Sequence, residues 1–276
     1  QASVWCQIGD ESSAEIITAM GSHASVKFFD ISGNNVGSRG CSAMASLLQN
    51  PVSDLQQLDL GSNDIDDEGV EAMTAALMSN RTLEELDLSS NRSVSTRGLK
   101  AIASLLESPN SKLRKLDVSY INIDDEAAIS FAKALTNNST LQTMRFGTPP
   151  GGSRFILEDE DDINENEFIT AKGWSAFSRL LCDTSSINKT LLSNHIVDIQ
   201  CHEASLPSDV ESSLALNRCI ATQGARQVAV KKILVNHHEF DMEPLFEWDL
   251  KMLPIIINLF EMARAYAYHR AFDPKI

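Results

Sequence analysis

Apolar and polar positions recur with a fixed period over most of the chain. The stretch LQQLDLGSNDI from Leu55 places apolar residues at steps of three and two. It returns as LEELDLSSNRSV from Leu83, LRKLDVSYINI from Leu113, LQTMRF from Leu141 and, earlier, VKFFDISGNNV from Val26. Successive starts lie 29, 28, 30 and 28 residues apart. A step of two suits a brief strand whose alternate residues face inward and outward. Between the copies, Cys41, Met44 and Leu48 recur as Val70, Met73 and Leu77, as Leu99, Ile102 and Leu106, and as Ala128, Phe131 and Leu135. That spacing is i, i+3, i+7, one face of a helix. Each unit therefore predicts a strand, a turn and a helix.

Superposing the units also settles how to read Asp64-Ile65-Asp66-Asp67-Glu68-Gly69, which spaces its acids almost as a calcium loop does. Val36, Ile65 and Ile123 share one column, and Gly40, Gly69 and Gly98 another, whereas the acids become Gly37, Ser38 and Arg39 one unit earlier. A calcium loop also needs a bidentate acid twelfth from Asp64, and Ala75 stands there. The acids are expected instead to oppose the positive end of the helix that follows them.

With L-x-x-L-D-L-x-x-N-x-I, a helix and a period near 28 residues, the chain resembles leucine-rich repeats of the ribonuclease-inhibitor-like type over about residues 3 to 201. It also resembles repeat proteins of this type from diatoms and related algae, a likeness that adds no activity. The resemblance implies an α/β solenoid, a horseshoe arc with parallel strands on the concave face and helices on the convex face. It implies too that Asn34, Asn63 and Asn91 satisfy backbone groups inside the turns. Ile121 and Pro149 stand in that column in the next two units, and Cys6 fills it in a truncated first unit running on through Ile16 and Met20.

After Phe146 the pattern breaks into GTPPGGSRFILEDEDDINENEF and resumes at Ile169, with Gly173, Trp174, Phe177 and Leu181 back in the helix columns. About 18 residues are inserted there. Prolines, glycines and seven acids from Glu158 to Glu167 predict a projecting loop at about residues 148–168, an acidic arm for a basic partner or a merely solvated segment. A last strand is expected near Val197 to Cys201. Beyond it, helical apolar spacing without the strand predicts a C-terminal helical cap over 205–276, with Trp248, Leu250, Leu253, Ile256 and Phe260 on its apolar face. The solenoid proper would occupy residues 1–204.

Charge then narrows the partners. A formal net charge of −15 disfavours nucleic acid and anionic membranes and favours a basic protein surface. The apolar run from Met252 to Phe260 is far too short to span a bilayer. Five scattered cysteines without C-x-x-C spacing fit a reducing, intracellular and cytoplasmic setting. The chain opens at Gln1 with no visible leader, so targeting is not read from it.

Catalytic chemistry finds little support, and an enzyme is not expected. His237, His238, Asp241 and Glu243 lack a second ligand pair for a metal, and Cys201-His202 lacks a third orienting residue. No cofactor is expected. Asn80, Asn91, Asn138 and Asn188 match the glycosylation pattern, but three of them fall where the repeat itself uses the asparagine.

The outward strand positions carry the candidate site. Asp30, Asp59, Asp87 and Asp117 form a ladder about 4.8 Å apart that ends at Arg145. Phe28, Gln57, Glu85, Lys115 and Thr143 run beside it, and Ser32, Gly61, Ser89, Ser119 and Gly147 run on the other side, small enough to leave room for a ligand. Phe28, Asp30, Gln57, Asp59, Glu85, Asp87, Lys115, Asp117, Tyr120 and Arg145 are the expected partner-binding residues of a non-enzymatic interaction module or scaffold. Two alternatives are a GTPase-activating protein, since one such family shares the repeat, and a structural subunit of a larger assembly. The first needs an arginine at the transition state, and Arg39 and Arg97 are expected in turns before helices, not where that family places its own.

Overall fold

The computed structural model describes residues 2–3, 7–21, 25–147, 169–201, 206–220 and 224–237. The strands are β1 (Ala2–Ser3), β2 (Phe28–Asp30), β3 (Gln57–Asp59), β4 (Glu85–Asp87), β5 (Lys115–Asp117), β6 (Thr143–Phe146) and β7 (Asp198–Cys201). They form one open parallel sheet in chain order, uncurled where the resemblance implied a horseshoe arc. Helices α1 (Asp10–Met20), α2 (Ser38–Gln49), α3 (Asp67–Leu77), α4 (Thr96–Glu107), α5 (Asp125–Thr136) and α6 (Ala171–Leu181) return the chain between strands and pack side by side. The fold is an α/β leucine-rich-repeat solenoid.

Each of the short strands β2 to β5 buries only its central residue, so three residues suffice. Leu58, Leu86 and Leu116 lie opposite one another on adjacent strands, and all three are buried. The helix columns face them: Cys41, Met44 and Leu48, and their counterparts through Phe131 and Leu135, are buried in the same continuous core. Full burial of each large apolar side chain is worth about 1.5–3 kcal/mol.

The expected asparagine column does the polar work of the turns. Asn63 donates to the carbonyls of Ile31, Leu60 and Gly61 and accepts the N–H of Val36, tying two units together. Asn91 repeats this one unit on, to Leu60, Leu88 and Ser89, with the N–H of Ile65 on its oxygen. Asn34 accepts the N–H of Ile8. Where the column reads Ile121, the residue joins the core instead. Cys6 and Pro149 lie outside the described residues.

The acids at the helix starts serve the following helix as expected, and some of them reach a second helix as well. Asp66 caps its own helix, accepting the N–H of Gly69. Asp67 instead reaches the next helix, accepting the N–H groups of Ser95 and Gly98 and the Ser95 hydroxyl at the start of α4. Asp10 does the same for α2 through Gly37, Arg39 and Gly40, and Asp125 for α6 through Thr170 and Gly173. A helix N-terminus leaves N–H groups without intrahelical partners, and a carboxylate from a neighbour satisfies them as well as a local one. Sequence proximity identifies the helix that Asp66 caps, but not the second helix that Asp67 reaches from the first turn of α3.

Asp125 makes its contact across the insertion. Across the same break, Phe146 on one side and Trp174 and Phe177 on the other form a ring cluster with centroids 5.7–6.0 Å apart. Together they set α6 back into the repeat frame. The insertion at 148–168 itself lies outside the described residues. A further helix, α7 (Ile187–Leu192), stands between α6 and β7 and was not anticipated. Then α8 (Ser208–Asn217) packs on α6 and β7, and α9 (Ala225–Asn236) packs on α7 and α8. Trp248, Leu250, Leu253, Ile256 and Phe260 lie outside the described residues.

Candidate functional site

The strand register brings the two outward columns together as the repeat requires. Asp30, Asp59, Asp87, Asp117 and Arg145 stand opposite one another in succession, and so do Phe28, Gln57, Glu85, Lys115 and Thr143. A groove runs over β2 to β6, lined among others by Phe28, Gln57, Asp59, Asp87, Lys115 and Arg145. Tyr120 is not part of that lining. It sits three residues past Asp117, in the turn, with φ +61° and its N–H on the carbonyl of Gly147.

Each aspartate spends one oxygen on its own turn. Asp59 accepts the N–H of Gly61 at 2.9 Å, Asp87 that of Ser89 at 2.8 Å, and Asp117 that of Ser119 at 2.9 Å. This also corrects the reading of the small-residue column. A Cβ at Gly61 would lie 2.9 Å from the Ser89 hydroxyl, 3.3 Å from Asp59 and 3.4 Å from Asp87. At Gly61 that space is taken by the Ser89 hydroxyl and the two carboxylates, not held open for a ligand.

Stacking these acids perturbs them. Burial, followed by the charges of Asp87, Asp30 and Asp117, pushes the Asp59 carboxyl up to about 6, against the opposing hydrogen bond from Gly61. Burial and the charge of Asp117 also raise Asp87, although Ser89 and Arg145 pull the other way. Both shifts follow from carboxylates partly withdrawn from water beside like charges.

The cations of the face gather at its other end. Lys115 pairs with Glu85 at 2.7 Å, and Arg145 reaches Asp117 at 3.8 Å and donates to Gln200 at 2.9 Å. Gln200 and Asp198 extend the two columns onto β7, and Arg218, at the end of α8, pairs with Asp198 at 2.9 Å. These three residues were missed. Carrying the columns one strand further, with Ile199 aligned on Met144, would have found Asp198 and Gln200; nothing local marks Arg218. The face is thus polarised, acidic over β2 to β4 and internally neutralised towards β7.

The other candidate chemistry has structural employment. His237 lies with Nε2 2.8 Å from the Thr190 hydroxyl, while His238, Asp241, Glu243 and His202 lie outside the described residues. Among the described residues, no group of three His, Cys, Asp or Glu is placed to hold a metal. Asn91 is 0% exposed, and the Asn80 and Asn138 amides serve the carbonyls of Leu48 and Leu106. Arg39 and Arg97 stand inside the first turns of α2 and α4, not before them, and pair with Glu11 at 2.8 Å and Glu71 at 3.2 Å. No helix among the described residues is long and apolar enough to cross a membrane.

The match to a repeat family agrees with the architecture. The leucine-rich repeat family model matches residues 22–45, 53–73, 79–103 and 110–132. The mouse (Mus musculus) ribonuclease inhibitor is 24% identical over 201 residues, 69% of this chain and 44% of that protein. NACHT, LRR and PYD domains-containing protein 14 of Mus musculus is 23% identical over 80% of this chain and 24% of its own length. The solved structure of leiomodin-1 actin-binding site 2 superposes with a TM-score of 0.42 at 14% identity, covering 79% of this chain and 94% of that one. The chain spans less than half the length of these two curated relatives.

Proposed function

We propose that this chain is a protein-binding module that receives a basic partner on the open face of its strands. The observation that carries the reading is the pair Asp59 and Asp87, stacked on adjacent strands in the acidic half of the face, with carboxyls raised by burial and by their neighbours. A Lys or Arg side chain from a partner relieves that repulsion, and complementary charge of this kind favours fast, selective association. Phe28, half-buried at the edge of the same groove, offers an apolar anchor. The rigid sheet lowers the ordering cost of binding. The name of the mouse relative, an inhibitor of ribonuclease, supports a protein as the kind of target.

Within this reading the acidic insertion at 148–168 is a second contact for the same basic partner, residues 1–204 are the binding solenoid and 205–276 its cap. The net charge of −15 argues against nucleic acid as the partner, and the setting is intracellular. No catalytic role is assigned. A GTPase-activating role finds no support in Arg39 or Arg97, whose guanidinium groups are already held by carboxylates of the preceding unit. A purely structural role would favour an apolar helix face, yet the helices are laced by pairs such as Lys100–Glu126 and Lys133–Glu107.

The test uses peptides displayed as a random library and selected on the immobilised full chain. Selected peptides are expected to be rich in Lys and Arg and to bind Asp59→Asn/Asp87→Asn at least tenfold more weakly. Equal affinity for the double variant would move the site off the strand face.

A further inference from the structure

A second row of side chains stitches the helix ends. Asn50 donates to the carbonyl of Gly21, Asn80 to Leu48, Asn138 to Leu106 and Asn194 to Leu135. Leu48, Leu106 and Leu135 are the last inward residues of α2, α4 and α5, and Leu181 is their counterpart at the end of α6. Its carbonyl is met by a different group, the Nζ of Lys232 on α9, which also donates to the carbonyl of Asn194. That ammonium is fully buried, at 0% exposure.

We infer that Lys232 terminates the run of repeats, a buried amine pin that docks α9 in place of the next unit's asparagine and whose protonation sets how tightly α9 is held. The chemistry of the two side chains explains the substitution. Each asparagine of the row uses its oxygen to accept the N–H groups that lead into the next strand, as Asn138 does for Thr140 and Leu141 and Asn194 for Ile196 and Val197. A lysine ammonium donates only. Lys232 can therefore close the carbonyls of the unit before it, but it offers nothing to a following strand.

The surroundings do not neutralise the cation. Among the described residues no carboxylate forms an ion pair with Lys232. Towards it stand the Cys182 thiol after α6, hydrogen-bonded by Asn236, and His195 after α7. Beyond Cys182, Asp183 is engaged by Ser185 and Lys189; α8 contributes the neutral Ser213 and Asn217, and the far end of α9 contributes His237, held by Thr190. Burial and the charge of Lys232 hold His195 down at about 4, so it is neutral throughout the relevant range. Burial likewise brings Lys232 down from 10.5 to about 8. Between those two values the released lysine binds a proton that the docked one does not. Docking therefore tightens as pH rises through that window, by about tenfold from pH 7 to pH 9.

The test has two arms on the full chain. Trace labelling of amines with acetic anhydride, read by mass spectrometry at pH 7, is expected to modify Lys232 at least tenfold more slowly than the exposed Lys133. Hydrogen-exchange protection of the α9 amides, corrected for intrinsic rates, is expected to rise about tenfold from pH 7 to pH 9 in the native protein and to stay flat in Lys232→Met. Labelling of Lys232 at the rate of Lys133 would overturn the assignment without any variant. An unchanged pH response in the Met variant would overturn the role of its protonation.

Discussion

At the level of single residues, the aspartate column and the asparagine column teach opposite lessons about charge. Asn63 sits buried with its amide and oxygen both occupied, so Asn63→Ala strands three carbonyls and one N–H. It should cost about 2–4 kcal/mol, read as a drop in the urea midpoint. Asp59 is the reverse case. Its folded carboxyl titrates near 6 against an ordinary value of 3.8, so between those values the folded state binds the extra proton and stability falls as pH rises. Asp59→Asn keeps an acceptor for Gly61 and removes that cost; its thermal midpoint at pH 7 should exceed that of the native protein, by the equivalent of about 1 kcal/mol, and the gain should fade by pH 4. A residue that weakens the fold while facing the groove fits a role in recognition. The asparagine column could be read from the chain because each copy meets the same carbonyls. The cost carried by Asp59 could not, because it depends on how far burial and three neighbours act on it.

At the level of elements, the helices are tied across units by Asp10, Asp67 and Asp125. Burial alone would raise the Asp67 carboxyl, but the Ser95 hydroxyl and N–H, the Gly98 N–H and the Arg97 charge outweigh it and hold it below the usual range. The same holds for Asp125 with Thr170, Gly173 and Lys172. These caps contribute fully above the ordinary carboxylate value and are lost as pH falls below it, a window separate from that of Asp59. Asp67→Ala should cost about 1–2 kcal/mol and lower hydrogen-exchange protection at the start of α4, whereas Asp64→Ala, which loses one exposed bond from Asn35, should cost under about 0.5 kcal/mol. Gly98 belongs to the same device. A Cβ there would lie 2.6 Å from the Asp67 oxygen, so Gly98→Ala should disrupt the cap, with a loss comparable to Asp67→Ala. The glycine column was visible along the chain, but its reason, a carboxylate arriving from the neighbouring helix, was not.

For the molecule as a whole, the distribution of charge over the strand face sets the expected behaviour in solution. Binding of a cationic peptide should weaken as salt rises from 50 to 500 mM, since exposed charge pairs are screened over about a Debye length. The Asp59→Asn/Asp87→Asn variant should show a shallower salt dependence; an identical slope in a titration series would place the electrostatic contact elsewhere. The architecture is legible along the chain, because strand and helix periodicities of two and 3.6 residues force apolar side chains onto one face, and repetition makes the columns self-evident. Leu58, Leu86 and Leu116, the helix columns and the aspartate ladder all follow from that local geometry. Other features arise only where distant parts of the chain meet. The target of Asp67, the return of α6 beside α5 after the insertion, the closure of the face by Gln200 and Arg218, and the burial of Lys232 each depend on a partner some 20 to 55 residues away. Hydrogen bonds and charges act over a few ångströms of space, and a one-dimensional pattern does not carry that distance unless the repeat itself supplies it.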